Sequence, residues 1–188
     1  APTGWNIDMT FADIPWHGKV SRYAIWSTQL IPDSDFPQVI RIAEFPYTLK
    51  QLCELKEFEL KGALLTSPEF EWEMSDAAIN EGPQAVYCQN GEFKGIMYAA
   101  NASWTRNYTQ GFLSYIGGDP LSISSYIKAQ TPITTRNDGY GHGCTVIDDK
   151  GILKHIGHYK IEPDVPGWQR AISQPNEVVF ANGSMQIL

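Results

Sequence analysis

The segment Glu69-Phe70-Glu71-Trp72-Glu73-Met74 brings three carboxylates into five residues. On an extended strand they share one face, with Phe70, Trp72 and Met74 on the other. Same-face neighbours on a strand lie about 7 Å apart, near the separation at which a pair of carboxyl groups works on a glycosidic bond. Mutual repulsion raises the pKa of one member, as a general acid requires. Glu69, Glu71 and Glu73 are therefore candidates for paired-carboxylate chemistry. The same pattern also describes an amphipathic strand with a solvated acidic face.

A second cluster is His142, Cys144, His155 and His158. Imidazole and thiolate are good ligands for zinc or iron, and a hairpin can bring its two arms within reach of one ion. The spacing matches no standard zinc motif, and alternation sends His155 and His158 to opposite faces unless a bulge at Gly157 intervenes. The metal alternative is thus His142 with His155, with ligands shared around a symmetry axis. No cofactor is expected. Cys53 and Cys144 lack the cationic or helix-terminal setting that activates a thiolate, and no Gly-x-Ser-x-Gly elbow is present.

Aromatic residues make up 12% of the chain, including six Trp, and several fall in Gly/Pro-flanked loops. Exposed indoles stack on sugar faces and anchor protein interfaces. Trp104, Arg106, Asn107 and Tyr108 on one loop, Arg136 and Asn137 on another, and Trp168 combine rings with planar hydrogen-bonding groups. They are the expected contacts to a glycan or a protein surface.

The elements that must position these groups are mostly strands. Residues 7–14, 19–30 and 38–45 read as strands, the third covered on both sides. Thr48 and Gln51 have the spacing of a capping box, which opens a short helix over about 48–57. Asp119-Pro120 opens a second over about 120–128. Asn90-Gly91 reads as a type I′ hairpin turn. Asp148-Asp149-Lys150-Gly151 joins another hairpin, and Asn182-Gly183 separates two final strands. No internal repeat and no linker divides residues 1–188. The expected fold is mainly β, a single-domain β-sandwich or jelly roll with those two accessory helices.

With 188 residues, the chain can bury an ordinary core without disulfides or metal. Its net charge of −7 argues against nucleic-acid binding, which needs clustered Lys and Arg. The three cysteines form no disulfide framework. No leader and no membrane-inserting run is visible. Asn101-Ala102-Ser103, Asn107-Tyr108-Thr109 and Asn182-Gly183-Ser184 fit the N-glycosylation sequon and lean toward an extracellular protein. The sequence-based expectation is a non-enzymatic recognition or assembly module. It would be a virion or fibre protein, or a secreted binding domain, packing as a homo-oligomer. The alternative is a small secreted glycoside hydrolase using the Glu69–Glu73 carboxylates.

Overall fold

A computed structural model describes residues 6–28, 38–54, 62–134, 139–162 and 169–188. The first sheet is formed by β1 (Asn6–Trp16), β2 (Lys19–Thr28), β3 (Ile40–Glu44) and β4 (Ala63–Thr66), in that order. Helix α1 (Leu49–Glu54) lies between β3 and β4. The second sheet runs β5 (Asn80–Tyr87), β6 (Phe93–Ala100), β7 (Thr109–Tyr115) and β8 (Tyr126–Lys128). The third contains β9 (Gly141–Ile147), β10 (Leu153–Lys160), β11 (Arg170–Ile172), β12 (Asn176–Ala181) and β13 (Ser184–Ile187). All three are antiparallel.

The mainly β class is as expected. Its strands fall into three sheets rather than the two of a simple sandwich. The first strands of successive sheets pack on one another, β1 on β5 and β5 on β9, as blades do around a common axis. The structural repeat is therefore the sheet itself, although no repeat shows in the residues.

Burial on both faces of the middle sheet explains why alternation is weak there. Ile96, Tyr98 and Leu113 point at the first sheet and meet Ile14, Ile25, Ile42 and Leu65. Val86, Met97 and Phe112 point the other way, at Val178 and Met185 of the third sheet. A strand covered on both sides has no polar face and reads as one apolar run. Each of these side chains contributes about 1.5–3 kcal/mol by leaving water. The first sheet is likewise apolar on its second face, where Ala24, Trp26, Ala43 and Phe45 cluster.

The capping box forms as read. The Thr48 hydroxyl accepts from the Gln51 amide N–H at 3.2 Å, and the Gln51 side-chain oxygen accepts from the Thr48 N–H at 2.8 Å. The helix is described from Leu49 to Glu54, and the rest of the expected 48–57 span lies outside the described residues. The 120–128 segment is not an α-helix. Asp119 caps a turn through the Leu121 N–H, a 3-10 turn covers Ile123–Ser125, and β8 follows at once. Ile123 and Ile127 are exposed, so no apolar helical face exists to be buried. The Asn90-Gly91 turn also differs: Gly91 alone of the pair is left-handed, at φ 80. The Gly91 N–H bonds to the Cys88 carbonyl and the Cys88 N–H to the Glu92 carbonyl. That is a three-residue loop closed by a glycine bulge, and Asp148–Ile152 repeats it with Gly151 at φ 78. Among the described residues no helix is long and apolar enough to cross a membrane.

Candidate active site

The three innermost strands, β1, β5 and β9, share a device at their first residues. Each loses register with its neighbour there: β1 between Asn6 and Met9, β5 between Glu81 and Gln84, and β9 around His142 opposite Gly157 and His158. A β-bulge adds an unpaired residue, twists the strand and re-aims a side chain. The residues so placed are Asp8, Glu81 with Gly82, and His142. All three lie at the same end of the axis.

Glu81 is half-buried and held from below by two buried donors. The Tyr108 hydroxyl donates to one carboxylate oxygen at 2.6 Å, and the Gln38 side-chain amide donates to the other at 3.0 Å. Burial, together with the charge of Glu81, holds the Tyr108 hydroxyl far above its ordinary pKa, and Asp8 adds to the effect. Tyr108 therefore stays a neutral donor. Its ring stacks on His158 at 5.7 Å, and the Arg170 guanidinium lies 5.6 Å from its centroid. His142 Nδ1 lies 3.4 Å from the same hydroxyl, and the His142 and His158 rings are 5.9 Å apart. This end of the axis thus combines two carboxylates, an uncharged phenol, two imidazoles and a guanidinium.

Two backbone features hold His142 in place. It is itself left-handed at φ 51, an uncommon state for a residue with a Cβ. Gly82 faces it at φ 56, and a Cβ there would come within 2.8 Å of its ring. Gly82→Ala is expected to lose about 1–2 kcal/mol of stability from the left-handed backbone alone. It should also displace His142, and a denaturation midpoint unchanged from the parent would refute the strain.

The carboxylates singled out in the sequence are arranged differently. Residues 69–73 are not a strand: β4 stops at Thr66, and Glu71–Glu73 form a 3-10 turn. Glu73 is 0% exposed. One of its oxygens accepts from the Glu69 and Phe70 N–H groups at 2.8 and 2.9 Å and pairs with the Lys128 ammonium at 2.8 Å. The other accepts from Asn80 and from the Tyr98 hydroxyl. Folding back on its own turn satisfies this carboxylate more fully than facing water would, so the strand geometry is lost. Glu69 and Glu71 are exposed.

The histidines also sort differently. The bulge lies on β9 and carries His142 toward His158, so His142 and His155 do not meet. His155 is 0% exposed on the opposite face, 3.0 Å from the Tyr140 hydroxyl, which also contacts Ser173. Among the described residues no group of three or more His, Cys, Asp or Glu is close enough to hold a metal ion. Burial lowers the His155 pKa to about 4. The unfolded chain, with a histidine pKa near 6.5, takes up a proton first as pH falls. Stability is thus fully present above about pH 6.5 and falls until about pH 4, by about 3 kcal/mol through this residue. His158, lowered to about 4 by burial and by Arg170, acts in the same direction. Urea midpoints at pH 7 and pH 4.5 check this, and His155→Gln should flatten the difference.

Of the loop residues expected to touch a ligand, Tyr108 reaches the site as a buried positioning group. Trp104 is 57% exposed on the same loop, and Arg106 and Asn107 are exposed beside it. Arg136, Asn137 and Trp168 lie outside the described residues. Asp8, Glu81 and Gln38 were missed. The available signal was Gly82-Pro83 inside a strand, the mark of a bulge, directly after a carboxylate.

No family model matches the chain. It is similar to an extracellular exo-α-(1→5)-L-arabinofuranosidase of Streptomyces chartreusis, 30% identical over 106 residues, which cover 51% of this chain and 31% of that protein. The fold matches a thermostable family-43 glycoside hydrolase with a TM-score of 0.72 at 22% identity, over 96% of this chain and 57% of that one. It matches an endo-1,4-β-xylanase of Bacteroides thetaiotaomicron with a TM-score of 0.70 at 19% identity, over 97% of this chain and 58% of that one. The chain therefore has the fold of family-43 glycoside hydrolases and spans well under two thirds of the length of these relatives. These likenesses overturn the expectation of a non-enzymatic recognition or assembly module. Nothing among them supports a virion or fibre protein.

Proposed function

We propose that the chain forms the catalytic face of an extracellular glycoside hydrolase acting on arabinose- or xylose-containing polysaccharide, with Glu81 as its proton-handling carboxyl group. The observation that carries this reading is the geometry of Glu81, which is fixed by Tyr108 and Gln38 on its buried side and open on the other. A carboxyl group held in this way can pass a proton to the glycosidic oxygen as the bond to the sugar breaks. Asp8 supplies a second negative charge at the same end, beside the positive charge that builds on the sugar ring. The arabinofuranosidase and xylanase relatives support this substrate class, and the extracellular relative supports the location. Reducing-sugar release from arabinan, arabinoxylan and xylan tests it. No release from any of the three by the purified protein ends the reading.

Trp104 fits the same reading as a sugar-stacking platform. Its backbone carbonyl accepts from the buried Lys160 ammonium at 3.0 Å, so the loop is anchored while the indole stays exposed. Three residues separate it from Tyr108, so four peptide steps give a reach of at most about 14 Å, or a few sugar units. Trp104→Ala is expected to weaken the apparent affinity for polysaccharide about tenfold, the worth of ~1.4 kcal/mol of stacking. Turnover of a small aryl glycoside should not change. An unaltered KM on the polymer would remove Trp104 from the binding surface.

A further inference from the structure

The three sequons occupy very different environments. Asn101 is 0% exposed and left-handed at φ 69. Its side-chain amide donates to the Trp72 and Asn107 carbonyls, and its side-chain oxygen accepts from the Asp76 N–H at 3.3 Å. Asn107 is exposed, but it immediately precedes Tyr108 at the Glu81 end of the axis. Asn182 is exposed at the tip of the β12–β13 hairpin, where Ala181 pairs with Ser184 across a two-residue turn. Asn182 at φ 52 and Gly183 at φ 74 give that turn the geometry that matches strand twist.

The topology also decides which end of the axis each sequon occupies. β12 is antiparallel to β10, and β10 to β9, so β12 runs parallel to β9. β9 begins at the end that carries His142, and β12 finishes at the other end, next to Asn182. A hydrogen bond from the Ser114 hydroxyl to the Gly183 carbonyl fixes the tip beside the end of β7. A bulky substituent on Asn182 therefore projects away from Glu81.

We propose that Asn182 is the N-glycan acceptor of this protein, on the extracellular reading above. The Asn182 side-chain nitrogen attacks the anomeric carbon of a lipid-linked diphospho-oligosaccharide. The N–C bond forms as the C–O bond to the diphosphate breaks, the lipid diphosphate departs, and the amide proton passes to a base of the transferase. Transfer occurs on the extended chain, so burial acts afterwards. A chain modified at Asn101 has lost the amide that ties Trp72 and Asn107 together, and it has no room to close the first turn after β6. Such chains do not reach the folded pool. Asn182 carries its glycan into the folded state because its side chain is exposed, while the tip is held through the neighbouring Gly183 carbonyl.

The test is secretion of the protein from a host with an N-glycosylating secretory pathway, followed by enzymatic glycan release in heavy-oxygen water and peptide mapping. The expected result is label at Asn182 and none at Asn101. Ser184→Ala, which removes the hydroxyl of the sequon and leaves the turn residues intact, should abolish one glycan-sized mass step. Ser184→Thr should keep it. Secreted protein with Asn182 unmodified, or with Asn101 or Asn107 modified in its place, overturns the proposal. The readout needs no hydrolytic activity, so its failure is distinct from failure of the hydrolase reading.

Discussion

Glu81→Gln is expected to lower kcat for glycoside hydrolysis by about 10²–10⁴-fold, the range that a positioned acid–base group contributes. The substitution keeps shape and volume. The amide oxygen of the new side chain can still accept from the Tyr108 hydroxyl, now 2.6 Å from the carboxylate, and its NH2 can donate to Gln38 once the Gln38 amide turns over to present its oxygen. Substrate affinity and thermal stability should therefore stay near those of the parent, which separates loss of the proton from loss of the site. Part of the lost rate should return with substrates whose leaving group needs no protonation, such as an aryl glycoside with an acidic phenol. If Glu81→Gln retains turnover on arabinan or xylan within a few-fold of the parent, Glu81 is not the proton-handling group. The family-43 fold would then have to use other carboxylates of this protein.

The second large effect concerns stability. Glu73→Ala is expected to destabilise the fold by about 3–5 kcal/mol, the loss seen when one member of a buried ion pair is removed. Among the described residues, the Lys128 ammonium would be left with one protein oxygen, the Ser67 carbonyl at 2.7 Å, in place of a carboxylate. Burial already holds its pKa below the ordinary lysine value, and Glu73 is what opposes that effect. The Glu69 and Phe70 N–H groups, the Asn80 amide and the Tyr98 hydroxyl would lose their acceptor as well. A urea midpoint that falls with an unchanged m-value checks this. Glu73→Gln separates structure from chemistry, because it should cost less stability and leave turnover per folded molecule intact. Loss of turnover in Glu73→Gln at unchanged stability would return this carboxylate to the reaction.

The two glutamates show where residue patterns stop being informative. In the sequence, Glu73 belongs to a regular Glu-x-Glu-x-Glu alternation and Glu81 stands alone before Gly82-Pro83. Alternation has meaning only if a strand forms, and strand formation depends on a partner. Here the N–H groups of Glu69 and Phe70 found a nearer acceptor in the Glu73 side chain, which closed the segment into a turn. The partners of Glu81 come from elsewhere: Gln38 is 43 residues away and Tyr108 is 27 residues away. No local pattern encodes such a meeting. Asp8 was hidden for the same reason; His142 stood out as a candidate ligand, but its meeting with Tyr108 and Gly82 was hidden too, since only the shared axis of three sheets brings these strand ends together.

The sequence by itself determined the local elements that local physics decides. Strands β1 and β2, the Thr48–Gln51 box and the Asn182-Gly183 turn depend on φ preferences, side-chain branching and hydrogen bonds a few residues apart. It also determined that a mainly β chain with a full apolar core would form. Tertiary structure alone decided how the sheets are stacked, because residues buried on both faces, as in Ile96-Met97-Tyr98, carry no sign of which sheet each face will meet. Tertiary structure also decided which polar groups became the site. A bulge turns Asp8, Glu81 and His142 inward at the start of each innermost strand, and its effect exists only once neighbouring strands have set the register it interrupts.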